Sequence, residues 1–66
     1  MILTVNGEDR EFSERLTVTT LLDHLSLSST GVAVERNGQI VSRDHFGDTA
    51  LEDGDRLEVV HFVGGG

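Results

Sequence analysis

Sixty-six residues leave room for one small domain with a modest core. Twelve acidic residues against five basic ones give a net charge of −7, a surface that repels nucleic-acid phosphates and anionic membranes and favours a basic protein partner. There is no cysteine, which excludes disulfides, thiolate metal sites and thiol catalysis, and no apolar run approaches the roughly 20 residues of a membrane-spanning helix.

Ile2-Leu3-Thr4-Val5 is a short β-rich run followed by Asn6-Gly7, a strong two-residue hairpin signal. A polar second strand is expected near Asp9 to Ser13, with Phe12 as its core residue. Leu16-Thr17-Val18 opens a helix, with Thr17 as N-cap and Leu16 and Leu21 spaced as a hydrophobic staple. Val18, Leu21, Leu22 and Leu25 fall at i, i+3, i+4 and i+7, one helix face. The polar stretch Ser26 to Thr30, interrupted by Leu27, and then Gly31 end the helix. Val32 to Arg36 reads as a third strand, Asn37-Gly38 as a second hairpin turn, and Gln39-Ile40-Val41 as the short return strand. Ser42 to Ala50 is irregular, with Phe46 as an anchor under the loop. Leu51 to Asp55 forms a turn around Gly54, and Arg56 to Phe62 is the most strongly β-forming run of the chain.

Two hairpins therefore flank one helix, and a last strand follows. The apolar stripe of a single helix needs a sheet face to cover it. The helix and second hairpin form a crossover long enough for the first and last strands to lie parallel at the sheet centre. The expected class is α+β, a β-grasp or ubiquitin-like mixed sheet of four to five strands packed on one helix. It should occupy residues 1–63, with a flexible glycine tail at 64–66. Strand parity puts Leu3, Val5, Val32, Val34, Leu57 and Val59 on the helix side. Ile2, Thr4, Ala33, Glu35, Glu58, Val60 and Phe62 face away. Val60 and Phe62 either form a partner-docking surface with an acidic rim or simply cover the end of the sheet.

No catalytic group has company. His24, His45 and His61 sit in three different elements without metal-ligand spacing, Asp53-Gly54-Asp55 lacks the ligand pattern of a calcium loop, and no serine has triad partners. The expectation is a protein that is not an enzyme and binds no metal or cofactor itself. The notable feature is Val63-Gly64-Gly65-Gly66, directly after the last strand. Such a tail reaches roughly 13 Å, and glycines without Cβ thread channels too narrow for other residues. The terminal carboxylate is ionised at neutral pH and becomes reactive once its oxygen is made a leaving group, as in an acyl-adenylate. Another enzyme has to bind the ATP, since the chain has no phosphate-binding loop. All five bases are arginines, so no lysine competes for an activated terminus, a pattern that codon preference explains equally well.

Asn6-Gly7, Leu21-Leu22, Val32-Ala33-Val34-Glu35-Arg36-Asn37-Gly38, Ile40-Val41, Asp53-Gly54-Asp55 and above all Val59 to Gly66 resemble the ThiS family of sulfur carriers in thiamine biosynthesis. The resemblance runs over the whole chain. It implies that a ThiF/MoeB-type adenylyltransferase, using ATP, activates the carboxylate of Gly66. Sulfur supplied through a cysteine desulfurase then gives a thiocarboxylate, which thiazole synthase (ThiG) consumes. Gly66 carries the covalent change, Gly64 and Gly65 give access to the partner's active site, and Val60 and Phe62 dock. Two related readings remain: a carrier like the small subunit of molybdopterin synthase (MoaD), and a ubiquitin-like protein modifier. The N-terminus has no signal-peptide pattern, and a cytoplasmic protein, monomeric on its own, is expected.

Overall fold

A computed structural model describes residues 1–62. The expectations for Gly64, Gly65 and Gly66 lie outside the described residues. Strand β1 (Ile2–Val5) turns through Asn6 and Gly7, at φ of 51° and 82°, into β2 (Glu8–Glu11). A two-residue turn with both φ values positive fixes the register, so Val5 faces Glu8 and Ile2 faces Glu11. This is why the second strand starts at Glu8 rather than Asp9, and its last residue, Glu11, faces Ile2 at the start of β1. Phe12 extends the pairing by one residue, donating its N–H to the Met1 carbonyl and accepting from the Met1 amino group, both at 2.8 Å, and packs half-buried against the core.

Helix α1 (Val18–His24) is only seven residues long, too short to hold alone in water. Its ends are closed by neighbours. Thr17 is the N-cap, and Thr20 completes a reciprocal capping box, each side chain accepting from the other's backbone N–H. The next free donors, Val18 and Thr19 N–H, reach the Thr49 and Phe46 carbonyls. At the other end Ser26 adopts φ 61°, and the N–H groups of Ser26 and Leu27 return to Asp23 and Leu22. This is a Schellman closure with serine where glycine is usual. Leu27, the one apolar residue in that polar stretch, is half-buried against the core beside the closure. Leu25 ends the helix as its C-cap and is only partly buried.

Strands β3 (Val32–Arg36) and β4 (Gln39–Val41) form the second hairpin around Asn37-Gly38, again with both φ values positive. The segment expected to be irregular contains one 3-10 turn, Arg43–His45, which delivers Phe46 into the core. Strand β5 (Arg56–His61) ends one residue before the expected Phe62, although the Phe62 N–H still donates to the Gly31 carbonyl at 2.8 Å. The sheet order is β2-β1-β5-β3-β4, with β1 and β5 parallel and β5 in the middle. Leu3, Val5, Val32, Val34, Leu57 and Val59 are buried with Val18, Leu21 and Leu22, as parity and helical spacing require. Leu16, Phe46 and Leu51 close the rim of this core.

Side chains continue the backbone ladder of β5. The Asn6 amide donates to the Val59 carbonyl at 3.1 Å and accepts from the Val59 N–H at 2.8 Å. On the other flank, Asn37 Oδ1 accepts from the Arg56 N–H at 2.9 Å. Asn37 Nδ2 also donates to Asp55 Oδ1 at 3.0 Å. Asp55 is buried, and burial pushes its carboxyl up. The Glu52 N–H, the Asn37 amide and the Arg36 guanidinium at 2.8 Å outweigh that, and the group lies below the ordinary carboxylate range.

Two outcomes follow from these bonds. In Asn6→Gly the turn keeps a residue suited to positive φ, so the change reads the amide. Urea unfolding should show a loss of about 1–2 kcal/mol, and a loss under about 0.3 kcal/mol would mean the amide does not hold β5. The depressed carboxyl of Asp55 contributes fully above the unfolded value of about 3.9, and its contribution disappears as pH falls through the folded value. Asp55→Ala should therefore cost about 2 kcal/mol near neutrality. The gap from the parent chain should narrow in acid, and urea midpoints across the acid range that stay equally separated would contradict this.

Candidate functional site

The sheet has one face under α1 and one open face. On the open face β5 contributes Arg56, Glu58 and Val60, β3 contributes Ala33 and Glu35, and β4 contributes Ile40. The β3–β5 register sets Ala33 opposite Val60 and Glu35 opposite Glu58, and the β3–β4 register sets Ile40 beside Glu35. Val60 is 53% exposed and Phe62 58%. With Ala33 they make a small apolar surface at the end of β5 from which Val63 to Gly66 follow in sequence. Phe62 is therefore more exposed than buried at the end of β5. Ile2, also on this face, belongs to the opposite end: β1 runs parallel to β5 with Thr4 level with Arg56.

Among the described residues Ile40 is the most exposed of the large apolar side chains, at 80%. Sequence reading placed it only in a returning strand. A signal was available, because a two-residue turn at Asn37-Gly38 forces Ile40 opposite Glu35 and hence onto the open face. The opposition of Glu35 and Glu58 had no such signal, since it depends on how β3 meets β5 across the chain.

The other candidate groups remain apart. His24 Nε2 lies 3.0 Å from Glu14 Oε1, and its ring meets Phe12 edge-on with centroids 5.3 Å apart. His45 lies 3.9 Å from Asp48, and His61 is exposed at the end of β5. Asp53 and Asp55 are both committed to the fold: Asp53 accepts from the Ile2 N–H at 2.6 Å, and Asp55 holds Arg36 and Asn37. Among the described residues no group of three or more His, Asp or Glu side chains is arranged to hold a metal. None of the described helices is long and apolar enough to cross a membrane.

A five-stranded mixed sheet with β5 central, one helix across one face and an apolar patch where the last strand ends defines a β-grasp protein of the ubiquitin-like kind. Comparison with known proteins narrows this. Residues 3–66 match the ThiS family, and the chain belongs to that family. The crystal structure of a thiamine biosynthesis protein (ThiS) from Geobacter metallireducens superposes with a TM-score of 0.83 at 42% identity, covering all of both chains. The sulfur carrier protein ThiS of Bacillus subtilis is 38% identical over 98% of this chain and its own full length. A thiazole synthase of Paramagnetospirillum magneticum is 50% identical over all 66 residues. This chain spans only 20% of that enzyme's length, so there the same kind of domain is one part of a longer protein.

Proposed function

We propose that this chain is a sulfur carrier of thiamine biosynthesis that acts through the carboxylate of Gly66. The observation that carries the reading is the family match, which runs through residue 66 and so includes the glycine triplet after the central strand. The chain itself binds no cofactor in this reading and is a co-substrate of other enzymes. A ThiF/MoeB-type adenylyltransferase brings ATP to the tail. The carboxylate oxygen attacks the α-phosphorus, and pyrophosphate leaves. A persulfide supplied through cysteine desulfurase then forms the C–S bond as the bond to AMP breaks, and a thiol reductant cleaves the S–S bond to leave the thiocarboxylate. Gly64 and Gly65 let the terminus pass into a narrow active site, and Val60 and Phe62 seat the domain against the enzyme.

Thiazole synthase is the consumer of the sulfur, and the relative in which such a domain is one part of a thiazole synthase supports this. The chemistry belongs in the cytoplasm, where the ATP for activation is at hand. Among the described residues the last side chain buried in the core is that of Val59, which supports a carrier fold that stands without the last two glycines.

Removal of Gly65 and Gly66 should abolish ATP-dependent pyrophosphate release by the activating enzyme, while the thermal unfolding curve stays within about 1 °C of the parent. Gly65→Ala should slow release without moving the unfolding curve. Undiminished release by the shortened chain would overturn the assignment of the chemistry to Gly66.

A further inference from the structure

Glu35 and Glu58 are Cα partners in the antiparallel β3–β5 pair and lie on the open face. Directly opposite side chains in such a pair have Cβ atoms about 5 Å apart, and like charges there destabilise a sheet. No ion pair within 4.0 Å relieves them, although Arg56 borders the same surface hollow as both. Among the described residues neither carboxylate forms an ion pair, and Arg36 is engaged with Asp55 and Glu52. Arg56, two residues before Glu58, lies beyond ion-pair distance of both.

The pair also sits in a particular place. Ile40 flanks it at the sheet edge, and Ala33, Val60 and Phe62 flank it toward the tail. Arginine is among the side chains that carry most of the energy at interfaces, and neighbouring apolar contacts that exclude water strengthen its pairing with a carboxylate. Two carboxylates at this separation match the planar fork of a guanidinium better than the point charge of an ammonium.

Resting on the carrier reading, we infer that Glu35 and Glu58 together receive an arginine side chain from thiazole synthase, and that this contact fixes how the carrier is seated. The net charge of −7 favours a basic face on the partner. The choice of thiazole synthase rests on the relative in which a domain of this family and that enzyme share one chain. The repulsion tolerated in the free carrier is relieved when the guanidinium arrives.

The test is a titration of a thiazole synthase that has no fused carrier domain with the 66-residue chain at two salt concentrations. The variants are Glu58→Gln, Glu35→Gln and, as a control for net charge, Glu11→Gln on the edge strand β2. Glu58→Gln and Glu35→Gln should each weaken binding about tenfold or more and flatten its salt dependence. Each should also raise the Tm of the free carrier by about 1–5 °C, because neutralising one member removes the repulsion. Glu11→Gln should do neither. Parent-like binding by both pair variants, an equal loss in Glu11→Gln, or a lowered Tm overturns the inference while leaving the carrier reading intact. Absence of binding by the parent chain overturns both the inference and thiazole synthase as the partner. Pyrophosphate release with an activating enzyme then judges the carrier reading separately.

Discussion

Two asparagine side chains hold the last strand from both sides, and the rest of the molecule is arranged around that grip. Asn6 and Asn37 each sit at positive φ in a two-residue turn, where asparagine is tolerated. Glycine would serve the turn conformation equally well. It would not supply an amide that pairs with β5 backbone at Val59 and Arg56, where the neighbouring strands have already turned away. On the β1 flank the ladder runs from the Asp53 carboxylate on Ile2, through the Thr4 and Asn6 N–H groups, to the Asn6 side chain on Val59. A parallel pair that brings together residues so distant in sequence is costly to close. Side chains that lengthen it at both ends offset part of that cost.

The consequence for function is a division between a fixed part and a reactive part. Leu57 and Val59 are buried against α1, while Glu58 and Val60, alternating with them, are presented on the open face. One strand therefore anchors the core, displays exposed side chains on the open face and leads in sequence to the glycine triplet. A partner that recognises the open face is brought to the beginning of the tail by the same contact. In a domain of 66 residues this economy follows from size: the described residues form one sheet and one short helix, with little interior in which to build a separate site.

Much of this was legible in the sequence because the signals are local. The Asn-Gly pairs fixed both hairpins, the spacing of Val18, Leu21 and Leu22 fixed the buried helix face, and alternation in Leu57 to Val60 fixed the two faces of β5. What escaped depended on distant pairing or on unusual chemistry. Thr20 closes a capping box normally closed by Glu or Gln, and Ser26 takes a conformation normally left to glycine. The length of β2 was set by where β1 ends, not by its own polar sequence. At the candidate site, Val60 and Phe62 were readable from parity. Ile40 required the turn geometry to be carried one strand further, and the facing glutamates required the β3–β5 register.

On the carrier reading, the chain's working group is one carboxylate and the folded domain delivers it. Intact mass spectrometry of the 66-residue chain, after incubation with an activating enzyme, ATP and a sulfur source, addresses it most directly. The account predicts a mass gain equal to one oxygen-to-sulfur exchange, located by fragmentation on the peptide that ends in Gly66. An unchanged mass, or the same reaction yielding covalent conjugates of the chain with other proteins, would contradict it.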